Sequence, residues 1–282
     1  MSEYIKSPMN YIGGKYKLLP QILNYFPCEI NNFVDLFAGG LDVGVNVRAK
    51  NVFCNDINYF LIDIYKKFQE CEIEELLDYI HNTIVENELS KTNVEAYNVF
   101  RTYYNRTRNP IDLFILICFS FNHQFRFNSK HEFNTPFGKN RSSYNSKIEE
   151  NLIKFHSKIK KIFFSSQNFK NYDISKFSQG DFVYADPPYL ISCGSYNDGK
   201  RGFDGWGVND DFRLFELLDT IDAQGVKFAL SNVIEHKGIK NSSLIDWAKR
   251  YNTHLINYNY NNCNYNSNNK NYQTKEVLIV NY

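Results

Sequence analysis

Short apolar runs that stop at glycine, asparagine or a carboxylate alternate with helix-period segments at both ends of the chain, while the middle is dominated by helical spacing. Near the start, Tyr16 to Phe26 reads as a short helix and Asn32 to Phe37 (NFVDLF) as a buried parallel strand running toward glycines. Asp42 to Lys50 follows as a helix candidate, then Asn51 to Asn55 (NVFCN) as a second strand and Tyr59 to Gln69 as another helix. Together they make a βαβ unit followed by a helix. From Ile73 the apolar positions Ile73, Leu76, Leu77, Ile80 and Ile84 recur at helical spacing, and Val94 to Tyr104 and Pro110 to Phe121 continue it, the last opening on a proline. Asn122 to Ser146 is a polar, aromatic loop punctuated by Gly and Pro. Loops of that length inside compact proteins are characteristically functional or disordered, and the aromatics here favour function.

Alternation then resumes with helix Lys147 to Ile159, strands Ile162 to Ser165 and Phe182 to Ala185, helix Asp210 to Ala223 and strand Val226 to Ser231. Helix Ser243 to Tyr251 precedes two strands, His254 to Tyr260 and Lys275 to Asn281, close enough to pair as an antiparallel hairpin. Two strand-helix regions separated by a helical stretch predict one doubly wound α/β sheet interrupted by a second module. Residues 1–70 and 160–282 are expected to form the sheet domain, and 71–159 a mostly helical insertion carrying the loop 122–146.

A chain of 282 residues is long enough to bury a substantial core without staples. Its six cysteines form no C-x-x-C pair and no His-Cys cluster at metal-ligand spacing, so neither a disulfide framework nor a metal site is expected. Met1 to Asn10 holds no apolar core of a signal peptide, and no run of eighteen apolar residues occurs, so a soluble cytoplasmic protein without a membrane partner is expected. Net charge is only +1, but residues 91–170 carry 14 Lys+Arg against 5 Asp+Glu, leaving 18 against 26 elsewhere. A basic segment on an acidic body suits a region that meets phosphates, although a solvated helical face would give the same count. The Asn/Tyr run from Asn257 to Tyr272 reads as compositional bias, with base-stacking aromatics as the alternative.

The chemistry concentrates at two strand ends. In Gly180-Asp-Phe-Val-Tyr-Ala-Asp-Pro-Pro-Tyr189 an apolar strand runs into a carboxylate, two prolines and an aromatic at the edge where open α/β sheets bind ligands. Proline fixes φ and donates no N–H, so Asp186 and the carbonyls of Pro187 and Pro188 act as acceptors without a competing donor. An exocyclic amine needs such acceptors to become a nucleophile. Its lone pair is delocalised into the ring, and acceptors on its hydrogens localise that pair in line with an electrophilic methyl. Tyr189 offers a face for an extruded base. Asp-Pro-Pro is also a good turn former, and the tetrapeptide alone does not choose between the two readings. The first strand places Asp35 and two glycines at a strand-to-helix turn, and Asp56 follows the second strand 21 residues later, where an acid accepts ribose hydroxyls. No G-x-G-x-x-G occurs, which favours a nucleoside-type cofactor over a dinucleotide.

Several segments, in order, resemble the Dam-like (D12 class, alpha-group) DNA adenine-N6 methyltransferases. They are Asn10 to Tyr16 (NYIGGKY), Phe33 to Gly40 (FVDLFAGG), Asp56, Phe121 to Gly138, Asp186 to Tyr189 (DPPY) and Lys275 to Tyr282 (KEVLIVNY), covering nearly the whole chain. The resemblance implies a Rossmann-like S-adenosylmethionine-dependent methyltransferase sheet with an antiparallel C-terminal hairpin and a mostly helical target-recognition insertion. It implies S-adenosyl-L-methionine, without a metal, at Tyr11, Lys15, Asp35, Phe37, Gly39, Asp56 and Asp186, and catalysis by Asp186, Pro187 and Tyr189. It implies double-stranded DNA as partner, with Arg126 reading a guanine, Phe121 and Asn122 beside the flipped base, Gln124 and Asn128 in the reading segment, and Lys139 and Arg141 on phosphates. Leu41-Asp42 stands where the family usually has small residues, and Gln124 where an apolar base contact is common. The family implies a bacterial, archaeal or phage enzyme, a monomer or weak dimer, with a cognate restriction endonuclease in some systems. Cytosine-N4 or glutamine-amide methylation, or a catalytically silent DNA-binding module, are the alternatives that the residues leave.

Overall fold

The computed structural model describes residues 4–191, 205–256 and 274–282. The Asn257–Tyr272 run, the end of the strand expected to reach Tyr260, Cys193 and Cys263 lie outside them.

Eight strands form one sheet: β1 (Asn32–Asp35), β2 (Asn51–Asn55), β3 (Ile162–Ser165), β4 (Phe182–Ala185), β5 (Lys227–His236), β6 (Ile239–Lys240), β7 (Asn252–Ile256) and β8 (Lys275–Val280). The order is β3-β2-β1-β4-β5-β8-β7, with β6 on β5. The first five run parallel, and β8 enters antiparallel between β5 and β7. This is the Rossmann-like sheet with an antiparallel terminal pair that the sequence leads one to expect. β1 and β4 occupy the middle and are apolar on both faces, as strands covered on both sides must be: Phe33, Val34, Phe182 and Val183 are buried.

Two helices precede the helical middle, α1 (Leu19–Ile22) and α2 (Tyr59–Glu70), and two open it, α3 (Ile73–Glu86) and α4 (Val94–Thr107). They are followed by α5 (Pro110–Phe119), α6 (Ser146–Ile159), α7 (Val208–Ala223) and α8 (Ser242–Ala248). α5 explains why the middle is compact. Its N-terminus is fixed by Pro110 and by Asn109, whose side chain accepts the Ile111 N–H at 2.9 Å. Every residue from Ile111 to Phe119 is buried; a helix apolar on all sides must be surrounded, and α2, α3 and α4 pack round it. The one polar member, Asp112, accepts the Tyr79 hydroxyl at 2.9 Å. A single apolar cluster runs from Met9 and Leu41 through α2 to α6 and on to Ile162, so the helical stretch and the sheet share a core.

Two expected helices take other forms. Tyr16 to Phe26 is a 3-10 turn, the single α turn of α1 and a second 3-10 turn. Asp42 to Lys50 is a series of turns, for a local reason: Gly44 and the β-branched Val43, Val45 and Val47 are poor helix formers. Asn46 instead clamps the N-terminal strand of chain, accepting the Ile5 N–H and donating to the Ile5 carbonyl, each at 2.8 Å.

Candidate active site

The chain order of the strands reverses between β1 and β4. Open α/β sheets bind ligands at such a switch point, outside the carboxyl ends of the strands. A cavity of about 320 Å³ opens there, and Tyr11, Lys15, Asp35, Phe37, Gly39, Asp56, Asp186, Pro187 and Tyr189 all line it. Four separate stretches of sequence thus converge on one space.

The cofactor side is shaped by backbone. Gly39 sits at φ 45°, and a Cβ there would come within 3.2 Å of the Tyr11 ring, so only glycine lets that ring close over the β1 turn. Asp56 holds the turn from β2, its two carboxylate oxygens accepting the Gly39 and Asn58 N–H groups at 2.9 Å each. Each oxygen keeps a second lone pair for a ribose hydroxyl. Asn58, which the sequence did not single out, also lines the cavity, and its buried Oδ1 has no hydrogen-bond partner. An orphaned buried acceptor beside the ribose acid is what a nucleoside donor would satisfy. Leu41, the departure noted from the sequence, adopts φ 65°, a left-handed conformation costly for a side chain with a Cβ, and full burial of its side chain offsets that strain. The neighbouring Asp42 accepts the Tyr16 N–H at 3.2 Å and so joins this turn to the N-terminal motif.

At the other end two carboxyls, Asp186 and Glu276, gather around the Lys15 ammonium, and Asp35 lies near enough to feel the charges of Asp186 and Lys15. Lys15 Nζ lies 2.7 Å from Asp186 Oδ2 and 3.6 Å from Glu276 Oε1. The Tyr189 hydroxyl lies 2.8 Å from Asp186 Oδ1 and 3.0 Å from Glu276 Oε1. Burial raises the Asp186 pKa and Glu276 adds to the rise, while Lys15 opposes it. Asp35 is pushed up more strongly, by burial first and then by the charge of Asp186. Such a site favours a cation over water: a sulfonium among these carboxyls would gain what their mutual repulsion costs. Glu276 is a site residue that the sequence reading missed. The available signal was a lone carboxylate inside the apolar strand KEVLIV, but its place depends on β8 running antiparallel, which carries the first residues of that strand to the active edge beside Val233.

The segment 120–142 closes the cavity from the helical side. Isolated bridges pair Ser120 with Phe137 and Phe127 with Phe133, making a ragged hairpin. Side chains alternate along it. Phe125 and Phe127 face inward and line the cavity, and Phe127 stacks on Phe60 with ring centroids 4.0 Å apart. Arg126 between them is exposed, as are Phe121, Asn122, Lys139 and Arg141, while Gln124 is half-buried. Asn122 has φ 53° and its carbonyl accepts the Asn10 side chain at 3.1 Å, tying the hairpin to the N-terminal motif. The Asn128 side chain closes the turn, accepting the Lys130 and Glu132 N–H groups at 2.9 Å each.

A Rossmann-like sheet with this edge is consistent with the methyltransferase class of proteins. Residues 11–275 match the model of the D12 class N6 adenine-specific DNA methyltransferases, and the chain belongs to that family. It is 44% identical over 283 residues to the type II methyltransferase M.FokI of Planomicrobium okeanokoites, and 48% identical over 283 residues to the modification methylase StsI of Streptococcus sanguinis. Those matches take in 100% and 99% of this chain but only 43% of either relative, so the chain spans less than half the length of both. The DNA adenine methylase of Escherichia coli strain K12 is 24% identical over 253 residues, covering 88% of this chain and 86% of that protein. No helix among the described residues is long and apolar enough to cross a membrane.

Proposed function

We propose that this chain transfers a methyl group from S-adenosyl-L-methionine to the exocyclic amine of an adenine flipped out of a specific short duplex, leaving S-adenosyl-L-homocysteine. The observation that carries the reading is the Lys15–Asp186–Tyr189 cluster opening on a cavity whose far end holds Asp56 and the orphaned acceptor of Asn58. Asp56 and Asn58 would hold the nucleoside, and the Tyr11 ring would cover the turn. When bound, the cofactor supplies the electrophilic methyl.

The protein's own part is positioning and proton handling. Asp186 accepts one amine hydrogen and the carbonyl of Pro187 the other, localising the nitrogen lone pair in line for attack. As the carbon–nitrogen bond forms, the nitrogen becomes positive and must lose a hydrogen. Asp186, with its pKa already raised, is suited to take it. The ring of Tyr189 stacks on the base, and Phe125 and Phe127 exclude water from the helical side. In the helical stretch 71–159, which we take as the target-recognition module, Arg126 reads a base edge, Phe121 and Asn122 stand at the gap left by the flipped base, and Lys139 and Arg141 neutralise phosphates. Relatives named as modification methylases support a role beside a cognate restriction endonuclease.

The test is incubation with tritiated S-adenosylmethionine and unmethylated duplex DNA, followed by nucleoside analysis. Label is expected in N6-methyl-2′-deoxyadenosine; label in N4-methyl-2′-deoxycytidine overturns the adenine assignment, and no transfer to DNA favours a silent binding module.

A further inference from the structure

Asp186 is expected to accept the target amine, yet both of its oxygens already serve internal donors: Oδ2 takes Lys15 at 2.7 Å and Oδ1 the Tyr189 hydroxyl at 2.8 Å. Each oxygen keeps a second lone pair, and an amine approaching Asp186 competes with these donors for the carboxyl. Lys15 is buried and also donates to the Gly13 carbonyl at 2.9 Å, whereas Tyr189 is half-buried; a donor left without an acceptor in such a site shifts an equilibrium unfavourably by roughly tenfold to a hundredfold. Glu276 Oε1 lies 3.0 Å from the same hydroxyl and 3.6 Å from the same ammonium, on a side chain only 3% exposed. The single hydroxyl hydrogen of Tyr189 can serve one carboxyl at a time. Rotation about the phenol C–O bond moves it from Asp186 to Glu276 with no heavy atom displaced.

We propose that Glu276 is a positioning residue for methyl transfer, the acceptor to which Tyr189 and Lys15 pass when the amine takes their place on Asp186. The proposal rests on the methyltransferase reading above. Glu276 does not touch the amine; it keeps Asp186 available by satisfying the donors that Asp186 releases. The arrangement also keeps Tyr189 anchored by its hydroxyl while its ring meets the base, so the stacking face does not swing as the hydrogen bond changes hands. The same hydrogen-bond geometry explains a charged residue at the start of an otherwise apolar strand, buried at 2% exposure where solvation is lost.

The test is a double-mutant cycle on the full chain, read as the single-turnover rate with excess enzyme, tritiated S-adenosylmethionine and unmethylated genomic DNA. Glu276→Ala is expected to slow transfer tenfold to a hundredfold with little change in the S-adenosylmethionine concentration giving half-maximal rate. Glu276→Gln, which keeps an acceptor oxygen, is expected to recover most of the rate. In a Tyr189→Phe background, where no hydroxyl needs an acceptor, Glu276→Ala is expected to cost clearly less than in the parent. Equal cost in both backgrounds, or a Glu276→Gln variant as slow as Glu276→Ala with unchanged melting temperature, overturns the hand-over. A parent chain that transfers no methyl at all overturns the methyltransferase reading itself, a result distinguishable from either.

Discussion

The two walls of the cavity are built in opposite ways. On the sheet side, charged groups are buried and hold one another: Lys15 is 6% exposed and Glu276 2%, and Asp186 is bonded from both oxygens. On the helical side, the hairpin 120–142 buries Phe127 and Phe133 and leaves the charged side chains of Arg126, Lys139 and Arg141 in water. The difference follows from what each wall has to meet. Under the proposed function the amine and the sulfonium are always the same, so fixed dipoles in a dry pocket would act on them most strongly. A DNA sequence is read by donors that must arrive hydrated and reach into a groove. The hairpin joins the two by alternation, with Phe125 and Phe127 on the cavity and Arg126 between them on the surface.

Breaking the sheet wall is expected to give the largest effect. Asp186→Ala should lower the transfer rate by about a thousandfold or more, the loss of an amine acceptor in a dry site, while a gel-shift assay shows DNA affinity little changed. The same carboxyl sets a pH dependence. Its pKa is raised, so it takes up a proton at a higher pH than a solvated aspartate, and the transfer rate measured against pH should fall on acidification before the ordinary carboxylate range is reached. The corresponding stability term has the opposite sense: the folded state binds that proton more tightly than the unfolded chain, so this contribution falls as pH rises through the window between the two values.

Breaking the buried face of the hairpin comes next. Phe127→Ala removes a ring 1% exposed and stacked on Phe60, and should cost about 3–5 kcal/mol in urea unfolding, with loss of both cofactor and DNA binding. Its exposed face should respond more gently and selectively. Arg126→Ala is expected to cost about 1–3 kcal/mol and relax preference at one base pair, measured by competition among substituted duplexes. A uniform loss across sequences would make Arg126 a phosphate contact, the behaviour expected instead of Lys139 and Arg141.

Much of the sheet wall was legible in the sequence because its signals are local. β1, β2 and β4 are apolar runs followed at once by their acids, and the prolines after Asp186 stand out in any register. The Asp42–Lys50 stretch misled because a helix-like length between strands was read over the weak propensities of Gly44 and three valines. Asn46, which replaces the helix by gripping Ile5 forty-one residues away, gave no local sign. The inward-facing Phe125 and Phe127 were visible as a period-two pattern around Arg126, but only packing shows which face is dry.

The sequence by itself determined the strands, the carboxylates at their ends and the helical middle, since each is encoded within a few neighbouring residues. Only the tertiary structure decided that Lys15, Asp186, Tyr189 and Glu276 form one cluster and that Asn58, with its orphaned buried oxygen, lines the cavity. Those facts depend on strand order and direction: β8 must enter antiparallel beside β5 for Glu276 to reach the edge that β1 and β4 define. Residues 261 positions apart in sequence, Lys15 and Glu276, meet through that one topological choice.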